Sequence, residues 1–383
     1  MKIAFLTPEY PHAGTGNSGG LGTSIKSLAI GLLEKGVSVR ILVYGQHKDH
    51  IFMDNGITIQ QIKNKKLKGL SWFLTRKKIE NIINQLFFAK EIDLVEAADW
   101  TGITSFIQPQ KCPVVIRLHG SDTYFCHLDN RPVKWINKFH EKRALEKATA
   151  LLSVSKFTAD ITNQVFGLSK KIKVIPNLVD INLFQPSDNL VPDDKSIFYF
   201  GSLIRKKGLL ELPLIFNEVI ENNTEAKLIL VGKDVPDIIS GNLSTWQMMQ
   251  DLFSERAKTN VSYLGSVPYS EIKKKIEQAT VCIFPSFAEA FPVSWLEAMA
   301  MQKAIVASDI GWAGEVIIDG ESGFLVAPKN HSLFAAKILQ LLDNSMLTKA
   351  TGEKARSRVE QFFNTDKITS DNINFYKKII NPE

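Results

Sequence analysis

What constrains this chain most is an alternation, sustained over its 383 residues, of short apolar runs with stretches of helical period. Runs at 3–7, 38–44, 57–62, 94–97, 114–118, 150–154 and 173–175 read as strands, with helices between them that include 23–35, 133–147 and 156–166. A second series follows the polar stretch 185–195. Its strands fall at 196–201, 226–232, 261–264, 280–285 and 304–308, alternating with helices near 208–222, 245–257, 270–278, 294–302 and 331–343. Parallel neighbours need a crossover, and a crossover helix covers one sheet face, so the pattern predicts an α/β fold of two doubly wound, Rossmann-like parallel sheets. One core stops growing near ~250–300 residues, so two domains are expected. They are 1–180 and 190–364, with the last helix, 365–383, crossing back onto the first. Sheets of this kind facing one another would leave a central cleft at the carboxyl ends of their strands, where open α/β folds bind ligands.

Composition excludes several classes. Hydrophobic residues make up 44% of the chain, ample for two packed cores, yet no apolar run approaches the ~20 residues of a membrane span. The opening Met1-Lys-Ile-Ala-Phe-Leu-Thr-Pro-Glu9 is interrupted too early to be a secretory leader. Cys112, Cys126 and Cys282 lack metal-ligand spacing, and three thiols suit packing in a reducing cytoplasm. Charge is uneven: residues 1–175 carry 25 Lys and Arg against 14 Asp and Glu, whereas residues 176–383 carry 21 against 26. Much of the basic excess lies in 63–78, where lysines flank Leu70, Trp72, Phe73 and Leu74. Such a segment reads either as a solvated loop entering a helix or as a contact for an anionic bilayer. No nucleic-acid motif accompanies it.

The densest chemistry is in Pro285-Ser-Phe-Ala-Glu289-Ala-Phe-Pro-Val-Ser-Trp-Leu-Glu297. It runs from a strand through a loop into a helix, so backbone N–H groups at the helix start favour an anion. Carboxylates before and within the first turn can orient the hydroxyls of a ligand whose phosphates sit there, a nucleotide sugar for example. Ser294-Trp-Leu-Glu297 reads equally as a capping box. Glu289, among Phe287, Ala288, Ala290 and Phe291, needs a partner or water.

Three further motifs sit at strand ends. Gly14-Thr-Gly16-Asn-Ser-Gly19 matches the dinucleotide fingerprint in form, but the second strand ends Leu42-Val-Tyr44-Gly45-Gln46 without the acid that would hold a ribose. Gly19-Gly20-Leu-Gly22, directly before a helix, reads better as an anion-facing loop or as a purely structural turn. Arg117-Leu-His119-Gly120 ends a strand with an imidazole that can donate to a sugar or phosphate, or can be held by neighbouring backbone. Gly201-Ser-Leu-Ile-Arg205-Lys-Lys207-Gly208 offers cations that clamp a diphosphate or form a solvated turn.

In order and spacing these motifs, together with Val174-Ile-Pro-Asn177-Leu-Val-Asp180, Phe184, Val306-Ala-Ser308 and Gly320-Glu-Ser-Gly323-Phe-Leu-Val326, resemble family 4 glycosyltransferases over nearly the whole chain. The resemblance implies a retaining enzyme of the GT-B fold that moves a sugar from a UDP- or GDP-linked donor to a glycan or lipid-linked glycan in bacterial-type surface polysaccharide synthesis. It implies that Glu289 and His119 are catalytic. Glu297 would hold the ribose, and Lys207, Arg205 and the backbone of Gly20, Phe291 and Val293 would bind the diphosphate. Neither cofactor nor metal is implied, and no Asp-x-Asp motif occurs. The expected location is cytoplasmic, with peripheral attachment at the inner membrane face through 63–78. Two departures stand out: Ser202 replaces the family's arginine after Gly201, and Pro292 replaces a glycine, which removes a backbone donor. An epimerase of the same fold and a non-catalytic sugar-nucleotide sensor are the alternatives.

Overall fold

The computed structural model describes residues 1–16, 18–187 and 194–382. Asn17 of the glycine run, residues 188–193 of the polar stretch and Glu383, at the end of the expected span 365–383, lie outside the described residues. The chain divides into two compact units, Met1–Leu178 with Thr365–Glu383, and Val179–Asn364.

Among the described residues unit 1 has eight strands: β1 Lys2–Thr7, β2 Ser38–Gln46, β3 His50–Asp54, β4 Ile57–Lys63, β5 Leu94–Ala98, β6 Val114–Leu118, β7 Ala150–Ser153 and β8 Ile172–Val174. They lie in the order β3-β4-β2-β1-β5-β6-β7-β8. Its helices are α1 Gly20–Glu34, α2 Ser71–Phe88, α3 Asp122–Leu128, α4 Trp135–Lys147 and α5 Lys156–Phe166, with the C-terminal helix Thr365–Ile380. β1 shows why the sheet is covered on both sides. Ile3 and Phe5 join Leu28, Leu32 and, from the C-terminal helix, Ile368 and Tyr376, while Ala4 and Leu6 join Ile79, Ile83 and Leu86 of α2. One edge departs from the expected all-parallel sheet, since β3 pairs antiparallel to β4. The reason is the Asn55-Gly56 turn, both residues at positive φ, which folds the chain straight back.

Unit 2 has, among the described residues, six strands, β9 Ser196–Phe200, β10 Lys227–Val231, β11 Val261–Tyr263, β12 Val281–Phe284, β13 Ala304–Ser308 and β14 Phe324–Val326, in the order β11-β10-β9-β12-β13-β14. All pairs are parallel. Its helices are α6 Leu212–Asn222, α7 Thr245–Leu252, α8 Glu255–Lys258, α9 Tyr269–Gln278, α10 Val293–Ala300, α11 Ala313–Val316, α12 His331–Asp343 and α13 Ser345–Phe362. The expected helix at 245–257 divides because the Ser254 side chain caps a new turn by accepting from Ala257 N. In each unit the strand order reverses beside the first strand, between β1 and β5 and between β9 and β12; the motif loops after β1, β9 and β12 leave from these switch points, and the loop with His119 leaves β6, one strand further on. Among the described residues no helix is long and apolar enough to cross a membrane.

Candidate functional site

Unit 2 assembles its charged groups from three loops. The turn after β9 presents Lys207 between two glycines that both hold positive φ. At Gly208, with φ +72°, a Cβ would stand 1.8 Å from the Pro285 carbonyl oxygen, and at Gly201 it would stand 3.3 Å from Lys207 Nζ. The loop after β12 is hung on that turn, Phe287 N and Ala288 N both donating to the Lys206 carbonyl at 2.8 and 3.2 Å. Ala288, Ala290 and Phe291 are buried, and the Phe291 ring meets Trp312 and Phe363. With its neighbours anchored, Glu289 faces Lys207 at 3.1 Å, its side chain 13% exposed.

Glu297 lies one helical turn into α10 and is buried. The capping box left open by the sequence does not form. α10 starts at Val293 with Pro292 as its N-cap and no side-chain cap, and the Glu297 carboxylate instead accepts from the Tyr269 hydroxyl at the start of α9. Burial pushes the Glu297 carboxyl up to about 7, against the opposing pull of the Tyr269 hydrogen bond and the Lys207 charge. Because proline occupies the cap itself, the missing N–H is the cap residue's own, and among the described residues no side chain caps the N–H groups of Val293, Ser294 and Trp295. Lys207, Glu289, Glu297 and the α10 N-terminus thus form one cluster.

Arg205 points elsewhere. Its guanidinium forks onto Asp237 at 2.9 and 2.7 Å, and Asp237 also accepts from Ser240 N and Oγ. The fork holds the Asp237 carboxyl far below the usual range. This pair ties the β9 turn to the loop after β10, which the sequence alone did not indicate.

In unit 1, His119 follows β6 and is half-buried, and the position beside it suits glycine twice over, because Gly120 has φ +93° and an added Cβ would stand 2.7 Å from the Phe125 ring. Burial, with the Arg117 charge, pushes the imidazole down to about 3, so it is neutral near pH 7 and keeps one donor and one acceptor nitrogen. The strand beneath it is fixed by a buried network: Arg117 binds Glu96 at 2.7 and 3.0 Å and also donates to Asn372, while Tyr376 donates to Glu96 at 2.7 Å. Two acids absent from the expected site stand close by. Asp99, at the end of β5, accepts from His119 N at 3.0 Å, and its Oδ2 is buried without a hydrogen bond. Burial, followed by the nearby Glu141 charge, raises its carboxyl to about 7. Glu9 accepts from Gly19 N at 3.0 Å and Gly22 N at 2.8 Å, so a carboxylate of the chain already sits at the start of α1, where Gly20 is exposed. The sequence signal for both acids was position alone, Asp99 one residue after a strand and Glu9 two residues after β1.

Residues 180–358 match the family model for glycosyl transferases group 1, and residues 18–183 match that for glycosyltransferase family 4. An uncharacterized glycosyltransferase of Methanocaldococcus jannaschii is 27% identical, over 98% of each chain. Among solved structures, sucrose-phosphate synthase from Thermosynechococcus elongatus is similar with a TM-score of 0.80 and 19% identity, covering 99% of this chain and 98% of its own. Anabaena HepE in complex with UDP and glucose is similar with a TM-score of 0.75 and 21% identity, covering 98% and 99%. These likenesses identify the two-Rossmann architecture as GT-B.

Proposed function

Since the chain belongs to the group 1 glycosyl transferases of family 4, we propose that this glycosyltransferase uses a UDP- or GDP-linked sugar and transfers it, with retention at the anomeric carbon, to a glycan or lipid-linked glycan of a surface polysaccharide. The observation that carries the reading is the cluster in unit 2: one lysine facing one carboxylate, beside an uncapped helix N-terminus and a buried second carboxylate.

The chemistry follows from the charges. As the bond between the anomeric carbon and the diphosphate oxygen lengthens, negative charge grows on the leaving group and positive charge on the sugar. Lys207 and the N–H groups at Val293 answer the first, with the Phe291 backbone beside them, and Glu289 answers the second. The acceptor hydroxyl bonds to the same face of the carbon, and its proton passes to the departing phosphate oxygen, so no covalent intermediate with the protein is required. Glu297 takes the ribose hydroxyls, and Tyr269 fixes its orientation. Arg205 holds the turn that presents Lys207. Neutral His119 hydrogen-bonds the transferred sugar, and Gly20 leaves room at its helix start. With a lysine and backbone donors placed for the diphosphate, the reading assigns no step to a divalent ion. HepE, solved with UDP and glucose, is the precedent for this class of donor.

The test is nucleotide release from a panel of UDP- and GDP-sugars with mixed glycan acceptors. Release is expected from one donor, and Glu289→Ala should lower it by about 10²–10³-fold. A donor converted without any acceptor would indicate an epimerase. Tight donor binding with no release, unaffected by Glu289→Ala, would indicate a sensor.

A further inference from the structure

Apart from these sites, unit 1 carries a broad surface that its own packing leaves bare. α4 buries His140, Glu141, Ala144 and Leu145 and turns Trp135, Ile136 and Phe139 outward, 77%, 39% and 47% exposed. Single exposed apolar side chains are ordinary, but three within two turns of one helix are a patch. Aromatic contacts extend it. Trp72 of α2, itself 43% exposed, lies 5.2 Å from the His140 ring and 5.4 Å from Phe106, and Phe106 meets Phe139 at 6.5 Å. The patch therefore runs from α4 onto the segment before α2, where Leu67 and Leu70 are each 51% exposed.

The charges around it are predominantly positive; the exceptions are Asp49, which pairs with Lys78 and accepts from Lys63 N, Glu80, which pairs with Lys77, and Asp122, which accepts from Asn137 of α4. Lys63, Lys65, Lys66 and Lys68 are exposed, and no Asp or Glu occurs between residues 55 and 79. On α4, Lys134, Lys138 and Lys142 flank the aromatic ridge. Of the two acids on that helix, Glu141 is turned inward, accepting from Asp122 N and Thr123 N, and Glu146 is at the far end beside Lys142. A second copy would bring like charge against like charge. A nucleic acid would answer the lysines but leave six large apolar side chains in water. An interface that is apolar within and anionic at its rim answers both.

We infer that this face docks on an anionic lipid bilayer, with Trp135, Ile136, Phe139, Trp72, Leu67 and Leu70 entering the headgroup boundary and the lysines paired with lipid phosphates. The inference deepens the lipid-linked form of the acceptor proposed above, but its measurement does not depend on sugar transfer. The whole protein is sedimented with phosphatidylcholine vesicles, with and without phosphatidylglycerol. Binding is expected only with phosphatidylglycerol, and it should weaken with salt. Joint Lys65→Ala, Lys66→Ala and Lys68→Ala should reduce affinity about 100-fold. Trp135→Ala should reduce it about tenfold, with unfolding temperature and nucleotide release on a soluble acceptor unchanged. Leu243→Ser is the control, because Leu243 is 83% exposed but belongs to unit 2 in a loop with Asp234 and Asp237. Equal binding to neutral vesicles, full binding by Trp135→Ala, equal loss in Leu243→Ser, or binding of an oligonucleotide in place of vesicles would each overturn the inference.

Discussion

Both units bury a carboxylate near the carboxyl edge of the sheet and raise it to about 7, yet they treat it differently. Unit 2 surrounds Glu297 with its own compensation, a tyrosine hydroxyl and a lysine charge. Unit 1 gives Asp99 backbone donors, adds the repulsion of Glu141, and leaves one oxygen buried without a hydrogen bond. A polar atom buried without a partner costs about 1–3 kcal/mol, so unit 1 sacrifices stability at an oxygen that unit 2, where Tyr269 and Lys207 offset part of the burial of Glu297, does not leave bare. The unit 2 cluster is thus preorganised by side chains, whereas Asp99 in unit 1 is held by main chain and keeps one oxygen without a hydrogen bond.

The largest test of that contrast lies within unit 2. If Lys207 is the cation that answers the leaving group, Lys207→Ala should lower turnover about 100-fold, while Arg205→Ala, which breaks a pair with Asp237, should cost less than about tenfold in turnover and appear mainly as lowered thermal stability. Equal losses of turnover would show that the two cations share the role.

A middle-sized effect is pH-dependent. Glu297 and Asp99 have folded-state values near 7, above ordinary values of 4.5 and 3.8, so the folded protein keeps protons that the unfolded chain has released. Stability from these groups is therefore complete below pH 4 and is lost as pH rises toward 7. Glu297→Gln and Asp99→Asn should each gain on the parent by up to about 3 kcal/mol between pH 4 and 8, read from unfolding at each pH. The gain should be at least as large for Asp99→Asn, because its carboxyl is raised to a similar value from a lower ordinary one. A flat difference for Asp99→Asn would mean that its second oxygen has a solvent partner.

The smallest effect separates a structural glycine from a functional one. Gly20 has no positive φ, and nothing lies within 4 Å of its added Cβ, so Gly20→Ala should change unfolding free energy by less than about 0.5 kcal/mol. Any marked loss of donor affinity in that variant, measured by titration, would then report on the ligand.

Much of the fold was legible because periodicity encodes burial directly. The strands at 114–118 and 304–308 and the helices at 156–166 and 331–343 fall where the sequence puts them, since each is a run whose apolar side must meet a core. Short or edge elements were not legible. β3 is half-exposed and β14 has three residues, too few for a period to show. The candidate cluster of Lys207, Glu289 and Glu297 was legible as a grouping, because all three occur within strand-loop-helix junctions that can be read locally.

What the sequence by itself determined is the inventory: two alternating series, the glycines that permit close turns, and charged residues at strand ends. What only the tertiary structure decided is which of those charges meet. Glu297 chose Tyr269, 28 residues away, over its own capping box; Arg205 chose Asp237, 32 residues away, over the neighbourhood of Lys207; and Glu9 reached the glycine loop. These partners come from separate loops brought side by side by strand order. Strand order is set by how crossovers pack on the sheet, which is a property of the assembled layers that no local period records.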